Sequence, residues 1–355
     1  MERHPNVSNP QQDVAVTSDA VSWAFRLFIG REPRDAAEIA IHQPHTSLRN
    51  LSIAFAESRE FQIFFETVVR KRKLAFALPT FMLHPPPEGV PWQFAPPTIQ
   101  DPVSQLCTAT QFSEGAFAEI AGAMALGTRL HRSTWEAVWI VSVLASHGCV
   151  APGKRALGLG VLRERIAALL ASRAVRVHAI RLAETAEPNL SQQHALLQLF
   201  YPEIIGIDDF DMLVSMEDGD ALDPARGIAA DHDGVWSMGV LRRLGSVAAA
   251  EDFIRRSLDA LRPGGVAAHT LDLHLSSEAD GRGGAGHLAF HRADLDALVL
   301  RLVCDGYEVL PINLYPGHEA ADAIVDAPPF GLPHLKVLAG LATVGSFGLA
   351  IRRPA

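Results

Sequence analysis

The chain has 355 residues, 48% hydrophobic and 20% charged, with 27 glycines and 23 prolines, which suits one sizeable globular domain beside a smaller one. A formal net charge of −9 excludes the broad basic face that phosphate neutralisation requires, so no nucleic-acid partner is expected. The longest apolar run, Val337 to Ile351, is too short to span a bilayer and is broken by glycines, so no membrane span is expected. Cys107, Cys149 and Cys304 are scattered without metal-site spacing and read as reduced thiols, and the polar stretch from Met1 to Asp13 lacks the apolar core of a signal peptide. Both readings point to the cytoplasm.

Residues 1–17 carry no periodicity and are expected to be a disordered tail. From Ser18 a Ser-Asp cap precedes Val21, Phe25 and Phe28 at helical spacing, and Leu48, Leu51, Phe55 and Phe61 repeat the pattern, so 18–73 is expected to be a small all-helical module. Residues 74–132 hold Pro85-Pro86-Pro87 and Pro96-Pro97, which remove backbone donors, and are expected to be a proline-rich linker and cap.

Ser133 with Glu136 three residues on forms a capping-box pattern, so a helix is expected from there to about Gly148. Strand-like and helix-like runs then alternate. Strands are expected to end at Leu157 and to cover Val175–Ile180, Met212–Met216, Gly234–Met238, Val266–Leu271, Tyr307–Leu314 and Thr343–Ile351, the last two as an edge pair. Helices are expected over Arg163–Arg173, Ser191–Phe200, Val247–Leu261 and Arg292–Val303. Such alternation over 133–355 implies an α/β domain with a doubly wound, mostly parallel sheet, whose ligand sits beyond the carboxyl ends of the strands.

The first candidate loop there is Leu157-Gly158-Leu159-Gly160, whose glycines permit a tight turn and close approach to a ligand. Further on stand Asp233-Gly234-Val235-Trp236-Ser237-Met238 and Leu261-Arg262-Pro263-Gly264-Gly265. Together these resemble the class I S-adenosylmethionine (SAM) dependent methyltransferases, in which a D-x-V-W-S strand leads to a helix ending L-R-P-G-G. His269-Thr270 and Leu275-Ser276-Ser277 resemble a subgroup associated with bacterial surface-glycan and sugar modification. The helical module, through Gly30-Arg31-Glu32-Pro33 and Phe55 with Ser58-Arg59-Glu60-Phe61, is similar to a short repeat found beside bacterial glycosyltransferases and methyltransferases.

The methyltransferase resemblance implies a Rossmann-like fold and SAM as cofactor, with Gly158 and Gly160 facing its methionine end and Trp236, Ser237 and Met238 lining the floor near the sulfonium. It assigns no catalytic residue. The chain departs from the family at three places. Leu162 replaces the third glycine, Arg181 stands where an acid accepts the ribose hydroxyls, and Arg242-Arg243 replaces a Glu-His pair. Arginine has no acceptor, so Glu184 is the nearest alternative for the ribose. Arg242, Arg243 and His269 are candidates for contact with substrate or partner. The histidine spacings at His269/His274 and His287/His291 read as loop histidines, and no metal is expected.

Two functions follow. One is a methyltransferase acting on a small molecule, such as a sugar or surface-glycan precursor. The other is a degenerate member that has lost SAM binding and serves as a binding or scaffolding module, contacting a protein partner through the helical module.

Overall fold

The computed structural model describes residues 16–65, 74–182, 191–276, 288–340 and 342–355. The chain divides into two compact units, one up to Lys73 and one from Leu74 onward.

Among the described residues, the first unit holds the short helices α1 (Ser18–Ala24), continued by a π-helical turn over Phe25–Ile29, α2 (Ala36–His42), α3 (Leu48–Ala56) and α4 (Arg59–Phe64). Thr17 caps α1 through its hydroxyl, one residue before the expected Ser-Asp pair. Phe25, Val21, Leu51 and Phe55 form the small core, with Phe28 packed against it. The quoted motif residues have structural roles. Gly30 adopts a left-handed turn with φ +72°, and a Cβ there would come 2.4 Å from the Phe64 ring. Arg31 reaches Glu38 at 2.7 and 2.9 Å and Glu60 at 2.6 and 2.9 Å, so one guanidinium ties together three elements. These bonds hold the Glu38 carboxyl down at about 2.

The second unit is an α/β structure. Its strands are β1 (Leu74–Ala75), β2 (Trp92–Gln93), β3 (Ser104–Leu106), β4 (Arg155–Leu159), β5 (Arg176–Leu182), β6 (Val214–Gly219), β7 (His232–Ser237), β8 (Leu261–His274), β9 (Glu308–Val309), β10 (Ile312–Asn313), β11 (Ile324–Asp326), β12 (Lys336–Ala339) and β13 (Ala342–Arg352). Its helices are α5 (Gly115–Ala123), α6 (Arg132–Ser146), α7 (Ile166–Ser172), α8 (Gln192–Leu197), α9 (Ile207–Leu213), α10 (Val247–Ser257) and α11 (Arg292–Cys304). The sheet runs β1-β11-β12-β13-β8-β7-β4-β5-β6. From β6 to β8 it is parallel, and β13 then runs antiparallel to β8. Alternate residues face opposite ways. Ala156, Ala179, Trp236 and Ala268 meet α5, α6, α7 and α9, while Leu157, Ile180, Val235 and Ala267 meet α10 and α11. Strand order reverses at β4, between β5 and β7, which puts the topological switch point at the glycine turn.

Several expectations change. Residues 74–132 belong to the second unit: β3 pairs with β13, and Met82, Ile99, Phe112 and Phe117 are core residues, because prolines end strands without preventing burial between them. The cap of α6 is His131, whose Nδ1 accepts from the Ser133 backbone, and Ser133 lies inside the helix. The expected Tyr307–Leu314 strand is split around Leu310-Pro311, and β13 lies within the sheet rather than at its edge. Helix α9 continues through Leu213, so β6 starts at Val214. The Leu261–Gly265 segment already belongs to β8, with a register shift opposite His232 and Gly234. Asp233 takes ion pairs from Lys154 at 3.0 Å and Arg262 at 2.5 Å, so two family-like motifs meet at the amino ends of the strands.

Replacing Arg31 with Ala should weaken the first unit by about 1–2 kcal/mol, because partly exposed charged hydrogen bonds are lost. Hydrogen exchange on the full chain should then speed up across residues 18–64 and stay unchanged in β4–β8. Unchanged exchange in the first unit would contradict this role for Arg31.

Candidate functional site

Strand β4 runs out into Gly160, whose φ of +68° is a left-handed turn. The Gly160 and Val161 backbones donate to the Ile180 carbonyl at 2.8 and 3.1 Å, which locks the turn against β5. A Cβ on Gly158 would lie 2.4 Å from the Trp236 ring, so this glycine makes room for the indole. A Cβ on Gly160 would meet Val240 at 2.4 Å and Leu182 at 3.1 Å. The space beside Gly160 is therefore filled by Val240 and Leu182, while Leu162 is half-buried.

Arg181 turns away from that space. It forms a two-pronged ion pair with Asp218 of the neighbouring strand β6, at 2.6 and 2.9 Å. Hydrogen bonding to Arg181 lowers the Asp218 carboxyl below its usual range. Beside the pair, at the carboxyl ends of β5 and β6, lies a cavity of about 260 Å³ lined by Ile180, Glu217, Asp218, Asp220, Asp223 and Arg226, among others. Four carboxylates and one guanidinium make its rim acidic. Such a rim offers acceptors to hydroxyl and amino donors. Glu184, the expected ribose acceptor, lies outside the described residues.

The residues expected under the sulfonium sit deeper than that. Trp236 is fully buried and donates its indole N–H to Glu164 Oε1 at 2.5 Å. Ser237 is also buried, its hydroxyl 2.8 Å from His269 Nδ1, and only Met238 is half-exposed. His269, a candidate for substrate contact, is instead fully enclosed between Ser237 and Ser257, whose hydroxyl stands 3.1 Å from Nε2. Burial pushes its imidazole down to about 3, so it is a neutral core residue. Strand alternation places 236 and 237 on opposite faces of a sheet covered on both sides, so neither can line an open floor.

Arg242 follows β7 in a tight turn and is no free cation. It donates to both Glu136 oxygens at 2.8 and 2.9 Å and stands 3.9 Å from Asp272. Arg132, the first residue of α6, pairs with Asp272 and lies 3.6 Å from Glu136, and the Ser346 hydroxyl donates to Glu136 at 2.5 Å. Two cations and two carboxylates thus balance in a buried cluster joining α6, β8, β13 and the turn after β7. Arg243 is exposed and makes no ion pair among the described residues. His274 stacks on His291 at 4.4 Å, His287 lies outside the described residues, and no cluster of three metal-ligating side chains occurs among the described residues.

No protein-family model and no curated protein matches the sequence. Among solved structures, the chain is similar to the CcbJ methyltransferase of Streptomyces caelestis, at 16% identity and a TM-score of 0.37 over 62% of this chain and 94% of that one. It is also similar to magnesium protoporphyrin IX methyltransferase of Synechocystis PCC 6803 with bound SAM, at 10% identity, a TM-score of 0.38, and 68% and 85% coverage. A third is the [4+2]-cyclase SpnF, at 16% identity, a TM-score of 0.42, and 72% and 98% coverage. The doubly wound, mostly parallel fold rests on the strand order itself. Among the described residues no helix is long and apolar enough to cross a membrane.

Glu164 gives this site a pH signature. Complete burial pushes its carboxyl up to about 8, and the Trp236 bond only partly offsets that. In the unfolded chain the group ionises near 4.5. Its contribution to stability is therefore complete below that pH and is lost as pH rises through about 8. Glu164→Gln should flatten the fall in melting temperature across this window. Parallel melting curves for the two proteins would contradict the burial of a neutral Glu164.

Proposed function

We propose that this protein is a SAM-dependent methyltransferase-like enzyme that holds its cofactor along the carboxyl edge, from the Gly158–Gly160 turn to the acidic cavity at the ends of β5 and β6. The observation behind this reading is the cavity at the carboxyl ends of β5 and β6, linked to the switch-point turn through Ile180, which lines it and whose carbonyl accepts from Gly160 N–H. A nucleoside presents ribose hydroxyls and an adenine amino group, all donors, and Asp218 and Asp220 supply acceptors that Arg181 cannot. Asp218 is well exposed, so releasing it from Arg181 costs about 0–1 kcal/mol. Entry at the glycine turn further requires Val240 to swing away from Gly160.

When bound, SAM supplies an activated methyl group for in-line transfer, a reaction governed mainly by proximity and orientation. The protein's part is to fix the nucleoside on its acidic rim and to hold an acceptor nearby. On the subgroup resemblance, we take that acceptor to be a hydroxyl of a sugar or surface-glycan precursor.

A second reading, a methyltransferase fold kept as a binding module, is favoured by Val240 and Leu182 lying over Gly160. In that case the first unit, with exposed Trp23, Leu27, Ile41 and Ile63, is the proposed partner surface.

Titration calorimetry of the full chain with SAM and S-adenosylhomocysteine separates the two. The enzyme reading expects micromolar binding of both, weakened about tenfold by Asp218→Asn, which is about 1.4 kcal/mol. Absence of heat at millimolar ligand would overturn it in favour of the binding module.

A further inference from the structure

A second, larger cavity of about 760 Å³ opens at the start of α6, lined by Arg129, His131, Ser133, Thr134, Phe330 and His334, among others. Its two histidines are set by the backbone. Arg132 N–H donates to the His334 carbonyl at 2.9 Å and His334 N–H to the Leu130 carbonyl at 2.7 Å, a short parallel bridge that stacks the imidazoles 4.5 Å apart.

Their tautomers are opposed. Asp326 lies 2.5 Å from His334 Nδ1 and also accepts from the Gly331 backbone. A carboxylate only accepts, so His334 Nδ1 carries a proton, and in the neutral ring its Nε2 is an acceptor. The Ser133 backbone N–H donates to His131 Nδ1 at 3.2 Å, so that nitrogen accepts and His131 Nε2 carries the proton. With both rings neutral, one free ring nitrogen accepts and the other donates. A ligand hydroxyl does both in return.

Around this pair stand the Ser133 and Thr134 hydroxyls, the exposed Phe330 ring, and the exposed Arg129 guanidinium, which has no ion-pair partner among the described residues. Arg129 suits a carboxylate, and an aromatic face suits the C–H face of a saturated ring.

We propose that this cavity binds a sugar carboxylate of the uronate type, with Arg129 pairing the carboxylate, the His131/His334 stack taking a ring hydroxyl, and Phe330 covering the ring. The proposal names an acceptor class for the methyltransferase reading and rests on that reading for its meaning. Occupancy itself is read without SAM, so failure of cofactor binding and failure of this site are distinguishable.

The test is an NMR titration of histidine-labelled full-length protein with glucuronate, with glucose as the neutral ring and benzoate as a carboxylate without hydroxyls. Saturable shifts of the His131 and His334 ring signals are expected with glucuronate, about tenfold weaker with glucose or benzoate. Arg129→Ala should remove the preference for glucuronate over glucose, and Phe330→Ala should weaken both sugars. Both residues are exposed, so the fold is kept. No saturable shift at millimolar glucuronate, equal binding of benzoate, or an unaltered preference in Arg129→Ala would overturn the proposal.

Discussion

The buried charge cluster of Arg132, Glu136, Arg242 and Asp272 is the constraint on which the carboxyl edge depends. It ties the first turn of α6 to the long strand β8 and to the turn leaving β7, with Ser346 adding β13. Removing one member of a buried ion pair leaves an uncompensated charge and costs about 3–5 kcal/mol. Such a cluster adds little net stability but permits few arrangements of the elements it joins. Both cavities of interest lie in the unit it organises. One is at the ends of β5 and β6, and the other is immediately beside Arg132, where His131 meets His334.

The cluster also explains why the two arginines after β7 are not equivalent. Arg242 is used up in holding the turn, with Gly239 leaving room for its guanidinium, whereas Arg243 faces outward. Burial keeps the neighbouring Glu164 neutral up to about pH 8, and it accepts from the Trp236 indole. Negative charge at this edge is therefore concentrated on the rim at Glu217, Asp218, Asp220 and Asp223. A donor-rich nucleoside is better matched there than an anion.

Much of the fold was legible in the sequence because buried parallel strands are nearly continuous apolar runs separated by capped helices. The strands around Leu157, Val177, Val235 and Ala267 and helices α10 and α11 lie close to where the apolar pattern puts them. Less was legible where a residue has more than one use. Ser133 and Glu136 have the spacing of a capping box, yet Glu136 is drawn inward by Arg132 and Arg242, and His131 takes the cap. The prolines of 74–132 mark turns, but not the burial of the apolar residues between them. The tight turn and close packing at Gly158 and Gly160 were legible from glycine chemistry. The depth of Trp236, Ser237 and His269 was not, because it follows from helices packing on both faces of the sheet. Ser133, Asp326 and His334 were not recognised as neighbours, since almost 200 residues separate the two sides of that cavity. The backbone bridge between His131 and His334, just before β12, brings them together.

The central claim, that the switch-point edge is a nucleoside site, is tested most directly by a crystal structure of the full chain grown with S-adenosylhomocysteine. The nucleoside is expected to lie between Gly160 and the Asp218–Asp220 rim, with Asp218 turned to the ribose, Arg181 released, and Val240 displaced from the glycine. Val240 and Leu182 still packed over Gly160, the Arg181–Asp218 pair intact, and no ligand at the edge would contradict a nucleoside site there.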